Sequence, residues 1–497
     1  MSAAWHHLPI LQVILPLFGA IVAAFLRRPG TAFALTLAIS WLMPAIAGAL
    51  LWQVLAGGPV SYHLGGWEPP WGIEYRVDLL NAFVLLLVSG LAAVMMPAAR
   101  RSIDLEIETE RQPRFYCMFL LCLTGLLGIA VTGDAFNAFV FLEISSLSTY
   151  VLIALGPDRR ALLASYRYLI VGTIGATFYV IGVGLLYLVT GTLNMADLAS
   201  RIGPAWETQS RAILAALGFI TVGIGLKLAL FPLHAWLPNA YTYAPSWVTA
   251  FLSASATKVA IYLLVRFYFS VFGAAVDLDL LPVASFITVL SVAAMVLASI
   301  SAVFELNLKR MLAYSSVAQI GYITLGIGLQ NQAGVTGGLV HIVNHGMMKA
   351  ALFLAAAAVF LRVRTVRIPE LAGIGRKMPW TMAAFSVAGL GLIGTPGTSG
   401  FVSKWYLVLG AIERGWWPLA FLIVASSLIA LVYVGRFLEV AWMREPAQGL
   451  AEAADPPGSV LVPLLALAAA TVYFGLDTGL TAGIAGQAAQ SLLGGTR

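Results

Sequence analysis

Fourteen apolar runs of seventeen residues or more divide the chain, at 8–26, 32–55, 79–98, 115–131, 135–155, 162–189, 212–231, 247–272, 280–304, 311–329, 335–361, 381–412, 419–443 and 459–484. A helix crosses a bilayer with about 17–25 apolar residues, so each run is long enough to span. Inside hydrocarbon every backbone N–H and C=O must be satisfied within the protein. Only helices and closed barrels meet that demand, and runs this long are helices. The expected fold class is therefore all-α, a polytopic membrane protein of about fourteen transmembrane helices. Composition agrees: 60% of the residues are hydrophobic and 10% charged, against about 25% charged in soluble domains. The basic balance of +6 does not point to nucleic acid, because Lys and Arg are spread over short loops. Met1–Leu8 has no Lys or Arg and no small-residue cleavage site follows the first run, which reads as a retained span. Cys117 and Cys122 share one apolar run and read as small buried hydrophobes.

Two runs carry helix breakers. In the seventh, Gly223-Ile-Gly-Leu-Lys-Leu-Ala-Leu-Phe-Pro-Leu-His234 places Lys227 five residues before Pro232. A proline cannot donate a backbone hydrogen bond and ends the helix before it. A lysine at a helix centre costs about 2.5–3.5 kcal/mol on insertion, so Lys227 on a broken helix reads as a functional group, a proton-relay lysine. The twelfth run is longer than a bilayer requires and contains Gly394-Thr-Pro-Gly-Thr-Ser-Gly400, with Pro396 at its centre and Lys404 just beyond. It reads as two half-helices with a non-helical link. Five crossings separate the two broken runs, so they traverse in opposite directions. Paired broken helices in matching positions of two halves mark a transport site between inverted repeats. The expected organisation is an N-terminal three-helix segment (1–114), a five-helix repeat of runs four to eight (115–272), an inverted repeat of runs nine to thirteen (273–443) and a C-terminal span (444–497).

Orientation follows from basic residues. With the N-terminus outside, seventeen of the 28 Lys and Arg lie on inner loops, five (Arg76, Arg201, Arg211, Arg414 and Arg497) on outer segments and six within spans. Both termini are then outside. The longest loop, Ala56–Asp78, is rich in Gly, Pro and Trp and is expected to form a small hairpin or lid.

Titratable side chains recur inside the runs. Glu143 is the one acidic residue well inside any run, the doubtful end of the last one aside, with Ser146 and Tyr150 on its face at i+3 and i+7. A lone carboxylate in hydrocarbon would take up a proton and go neutral; a lysine beside it would hold its charge, and Lys227 is the natural partner. Lys258 follows the small-residue stretch Ser253-Ala-Ser-Ala-Thr, which allows close helix packing. His341, His345 and Lys349 fall at i, i+4 and i+8, one stripe about 12 Å long. Histidine changes charge near neutral pH, which suits a relay. Two histidines at this spacing can also bind a metal, but no carboxylate or cysteine accompanies them, so no metal site is expected. Ser315, Gln319 and Tyr322 share one face of the tenth run and can hold water. No Walker motif, dinucleotide fingerprint or cysteine cluster is present, and no cofactor and no enzymatic activity of the chain alone are expected.

Val140-Phe-Leu-Glu-Ile-Ser-Ser-Leu-Ser-Thr-Tyr150, Leu226-Lys-Leu-Ala-Leu-Phe-Pro-Leu-His-Ala-Trp-Leu-Pro238, Ser253-Ala-Ser-Ala-Thr-Lys258 and Leu308-Lys-Arg-Met-Leu-Ala-Tyr-Ser-Ser316 together resemble the antiporter-like subunits shared by Mrp-type sodium/proton antiporters and respiratory complex I. The resemblance covers the third to the thirteenth run. It implies fourteen spans, two inverted five-helix bundles and membership of a larger complex, with other membrane subunits as partners, in a bacterial cell membrane. It implies a function in moving protons against a monovalent cation, sodium above all. Glu143 and Lys227 would be the interacting pair, Lys258, His341, His345 and Lys349 the central carriers, and Lys404 the terminal relay. Some relatives carry glutamate at position 404; the lysine here matches the D-type antiporter subunit and the smallest complex I relative. Two other readings follow: a proton-pumping subunit of a complex I-type NADH-quinone oxidoreductase or membrane-bound hydrogenase, and a non-conducting scaffold.

Overall fold

The structure, a computed structural model, describes residues 3–273, 283–450 and 452–494. Residues 280–282 at the start of the ninth run, and Arg497, lie outside them. Numbered by crossing, the helices are α1 Leu8–Phe25, α2 Pro29–Gly57, α3 Leu79–Glu106, α4 Gln112–Val131, α5 Ala135–Ala154, α6 Arg160–Thr190 and α7a Met195–Leu228 with α7b Leu237–Tyr243. They continue as α8 Ser246–Phe272, α9 Val283–Phe304, α10 Leu308–Leu329, α11 Gln332–Val363, α12a Pro379–Ile393 with α12b Ser399–Glu413, α13 Trp417–Met443 and α14 Gly458–Leu476. Thirteen of these are long and apolar enough to cross a membrane, and α12a with α12b makes the fourteenth crossing.

Both breaks are accompanied by left-handed backbone. α7a ends at Leu228, with Ala229 at φ 61°, four residues before Pro232, whose ring would collide with the Leu228 carbonyl in a continuing helix. α12a ends at Ile393, Gly394 takes φ 91° and Gly397 φ 83°, and α12b starts after Thr398. The crossing of α12b over α12a needs a missing side chain: a Cβ on Gly400 would run into the Gly391 carbonyl and the Met348 sulfur. Gly400→Ala should therefore destabilise by about 1–3 kcal/mol, as overpacking against backbone does, seen as a lower thermal unfolding midpoint of the detergent-solubilised protein.

Three features depart from the sequence expectation. α8 is itself interrupted: Ser255 adopts φ −121°, ψ −57°, separating Ser246–Ala254 from Ala256–Val265, and Arg266–Phe272 winds as a π-helix. No proline or glycine announces either irregularity. The last run, expected to reach 484, ends at Leu476; a separate helix, α15 Thr481–Gly494, folds back on α3 and α11. Lys309, one of the seventeen basic residues that charge counting places on inner loops, is on α10 and buried, its ammonium donating to the Ala244 carbonyl at 2.7 Å.

The 56–78 loop forms a two-stranded antiparallel hairpin, β1 Val60–His63 with β2 Glu74–Val77. Glu74 ties it down, accepting from Ser61 at 2.6 Å and from Asn194 at 2.7 Å, while its carbonyl accepts from Gly133 N. Asp78 then caps α3, accepting from the Leu80 and Asn81 amides.

α4 to α8 pack on one another, as do α9 to α13, and the two groups meet where α8 lies against α11. Gly346 lets the Ala254 carbonyl approach α11 there. α11 touches α3, α8, α10, both halves of α12, α14 and α15, and Ala333–Val359 is buried throughout. The stripe of two histidines and a lysine thus lies in a stretch of helix enclosed on all sides.

Candidate functional site

At the α7 break the Lys227 ammonium donates to Ser146 Oγ at 2.5 Å and approaches Tyr150 OH at 3.4 Å. Glu143 Oε1 stands 3.8 Å away, an ion-pair separation too long for a direct hydrogen bond. Two of the carbonyls at the break are taken by other donors: Gly225 O accepts from Leu230 N and Leu226 O from the Trp236 indole. The ammonium is left for α5. The pair is lopsided, for the Lys227 side chain is 5% exposed and that of Glu143 is 25%. Glu143 lies on the helix face that carries the exposed apolar residues Phe136, Val140, Leu147 and Val151, with its Oε1 buried toward Lys227.

Lys258 is fully buried on α8. Its ammonium bonds the Ser253 carbonyl and lies 3.3 Å from Thr257 Oγ1. Opposite it on α11, the His341 and His345 rings stack with centroids 5.9 Å apart and planes 8° apart. His345 lies within electrostatic range of Lys258, Lys349 and His341. Among the described residues neither ring nitrogen of His345 has a hydrogen-bond partner. Lys349 bonds the Leu312 carbonyl at 2.8 Å and the Ser315 hydroxyl.

Lys404 reaches back across the α12 break. It donates to the Leu392 and Ile393 carbonyls at 3.1 and 2.8 Å and to Ser427 Oγ at 2.9 Å, 4.5 Å above the Tyr322 ring. A cation at the carbonyl end of α12a is where the helix dipole favours it. The two breaks are therefore not equivalent: Lys227 precedes its break and bonds a neighbouring helix, whereas Lys404 follows its break and bonds the half-helix it left.

The polar face of α10 links these groups. Ser315 holds Lys349, Gln319 Oε1 meets His341 Nε2 at 2.8 Å, and Tyr322 lies under Lys404. Sequence spacing placed these three on one face and did not show that each serves a titratable partner. Ser403 was not singled out either, yet its Oγ lies 2.7 Å from His341 Nδ1 and 3.1 Å from the Gly400 carbonyl. A neutral His341 donates from Nε2 to Gln319 and accepts Ser403 at Nδ1. On taking a proton it donates from both nitrogens, and Ser403 turns its hydrogen to Gly400.

The structure brings Lys258, His345, His341, Lys349 and Lys404 into one file and Glu143 and Lys227 into a pair. It does not bring Lys227 and Lys258 together directly. A cavity of about 30 Å³, large enough to hold a water, lies between Lys227, Ser146, Thr149, Tyr168 and the Ala256 and Ala260 side of α8. Lys258 is two residues from each alanine, on the far face of that helix. Tyr241, buried beside Tyr168 and Trp236, bonds the Leu252 carbonyl and reaches toward Thr257 at that crossing. Among the described residues no group of three or more His, Cys, Asp or Glu side chains comes together as metal ligands.

The family described as "NADH:quinone oxidoreductase/Mrp antiporter, TM" matches residues 132–430. The N subunit of the NADH-quinone oxidoreductase of Desulforudis audaxviator is 43% identical over 95% of this chain and 96% of that one. The D-type subunit of the Na(+)/H(+) antiporter of Alkalihalophilus pseudofirmus is 30% identical over 95% and 94%. The fold matches a chain of the Mrp complex from Dietzia sp. with a TM-score of 0.89 and 28% identity, over 99% of this chain and 98% of that one.

Proposed function

For a chain that belongs to the NADH:quinone oxidoreductase/Mrp antiporter transmembrane family, we propose that it is the proton-carrying membrane subunit of a multisubunit cation/proton antiporter. The observation that carries this reading is how the central lysines are solvated. Lys258, Lys349 and Lys404 are buried, and among the described residues no carboxylate lies within 4.0 Å of any of them. Their partners are carbonyl and hydroxyl oxygens. A lysine buried for structure keeps a carboxylate beside it, because an unpaired charge is expensive in low dielectric. One held by neutral acceptors can exist with or without its proton, as a carrier must.

The route begins at Glu143 and Lys227. A change in their charge state alters the field at Lys258, and the proton shift passes through His345 and His341, with Lys349, to Lys404. Like charges on neighbouring carriers repel, so a proton arriving at one favours departure from the next. Glu143, a quarter exposed and set in an apolar stripe, calls for a neighbouring membrane subunit to cover it. Both termini are taken as external, by the asymmetry of basic residues.

The 43% identity to a subunit named for NADH-quinone oxidoreductase favours a second reading, a proton-pumping subunit of a redox-driven assembly. Purification from native membranes separates the two. The antiporter reading expects small membrane partners and a sodium-driven proton flux in reconstituted vesicles. Flavin- or iron–sulfur-bearing partners, with flux only on addition of an electron donor, would overturn it. A non-conducting scaffold would leave flux unchanged when the buried lysines are neutralised.

A further inference from the structure

A cavity of about 310 Å³ opens on the membrane face that carries the β-hairpin, lined by Asp78, Arg76, Asn81, Tyr262, Arg266 and the loop at Thr132. Across its floor Arg266 grips Asp78 bidentately, Nη1 to Oδ2 at 2.7 Å and Nη2 to Oδ1 at 2.9 Å. The guanidinium also bonds Ser270 at 3.2 Å and lies 5.4 Å from the centre of the Tyr262 ring. Tyr262 is buried, its hydroxyl donating to the Ala130 carbonyl at 3.1 Å. Lys258, Tyr262, Arg266 and Ser270 follow one another at intervals of four along α8, so they form a single stripe. About 12 Å of helix separates Lys258 from Arg266. The regular helix gives way to a π-helix at Arg266 itself, a distortion that gathers at functional sites. The relay described above uses none of Asp78, Arg266 or Tyr262.

We propose that this vestibule is the mouth of a second proton access route, running along α8 to Lys258, and that the Asp78–Arg266 pair is its gate. The inference rests on reading Lys258 as a proton carrier. With the pair closed, the guanidinium packs against the Tyr262 ring at the floor of the vestibule, and Tyr262 is left 1% exposed. When a proton from the vestibule binds the Asp78 carboxylate, an O–H bond forms on one oxygen, the Arg266 bond to that oxygen is lost, and the bond to the other oxygen, now a neutral carbonyl, is weakened. The guanidinium is then free to swing toward solvent, and water can follow it to Tyr262 and Lys258. Among the described residues the charged or titratable groups facing Asp78 are Arg266 and Tyr262 of α8 and Arg76 of β2. Burial alone would raise the Asp78 carboxyl, but the Arg266 charge and its hydrogen bonds hold it below the usual carboxylate range. The gate therefore rests closed near neutral pH.

Cysteine accessibility tests the gate without measuring transport. Cys117 and Cys122 are buried, so Tyr262→Cys supplies the reporter thiol in the assembled complex. Asp78→Asn removes the charge while keeping a side chain that caps α3 equally well. Arg266→Gln opens the pair from the other side. Either substitution should speed labelling of Tyr262→Cys by a membrane-impermeant thiol reagent, added to the hairpin face, about tenfold or more, as loss of a partly buried ion pair implies. Unchanged labelling in whichever variant assembles, or faster labelling only from the opposite face, would overturn the gate. That outcome leaves the role of Lys258 standing, which is decided separately by proton flux.

Discussion

Lys227→Ala should abolish proton flux through the reconstituted complex, a loss of at least about a hundredfold, as expected when an essential proton-transfer group is removed. The chain should still insert and assemble. Glu143→Gln should do the same, and the reason differs between the two. In the alanine variant Ser146 and Tyr150 lose the ammonium they hold, and Glu143 loses the cation 3.8 Å away. In the glutamine variant the lysine remains and its field no longer changes, so nothing triggers Lys258. The double variant should be no worse than either single one, because the two groups act as a unit. Flux near the unmodified level in either single variant, at normal assembly, would remove the pair from the mechanism. Neither substitution touches a large packing contact, since Lys227 sits beside a cavity of about 30 Å³. Loss of flux will therefore not be confused with loss of fold.

The crossings and the two principal breaks are written locally. Apolar runs must become helices in lipid, and Pro232 and Pro396 each forbid a helix at a known offset. The i, i+4, i+8 spacing of His341, His345 and Lys349 fixes a stripe without reference to any other helix. What escapes the sequence is rotation about neighbouring axes. Nothing in Ser253-Ala-Ser-Ala-Thr-Lys258 announces that Ser255 leaves helical geometry. Nor does it reveal that Lys258 turns to α11 while Ala256 and Ala260 face Lys227. The close contact at that crossing depends on Gly346, far along the chain, beside which the Ala254 carbonyl lies. The same limit hides the pairing of Arg266 with Asp78, across 188 residues. Charge counting placed Lys309 in a loop because it stands at a helix start. Only packing shows that α7b lies against α10 and that the Ala244 carbonyl after it takes the buried ammonium. Gly475–Gly479 carried a local signal, and the last crossing does end among those residues.

The largest test of the central file is Lys258→Met, which should separate function from stability. The change replaces a fully buried ammonium with an apolar side chain of similar length. Leaving a charge in low dielectric costs several kcal/mol even after relaxation, and that cost disappears. Against it stands the Ser253 carbonyl, which loses its donor, at about 1–3 kcal/mol for an unsatisfied buried acceptor. Thr257 Oγ1, at 3.3 Å from the ammonium, can turn its hydroxyl toward that carbonyl and recover part of the difference. The balance predicts a thermal unfolding midpoint equal to or above that of the unmodified complex. Proton flux should fall by about a hundredfold or more, since the one carrier between the Lys227 cavity and His345 is gone. A structural lysine would give the reverse, a lowered midpoint with flux retained in the surviving protein. Measuring both on one detergent-solubilised and reconstituted preparation decides between them, because a carrier is the only role in which removing Lys258 spares the fold and stops the protons.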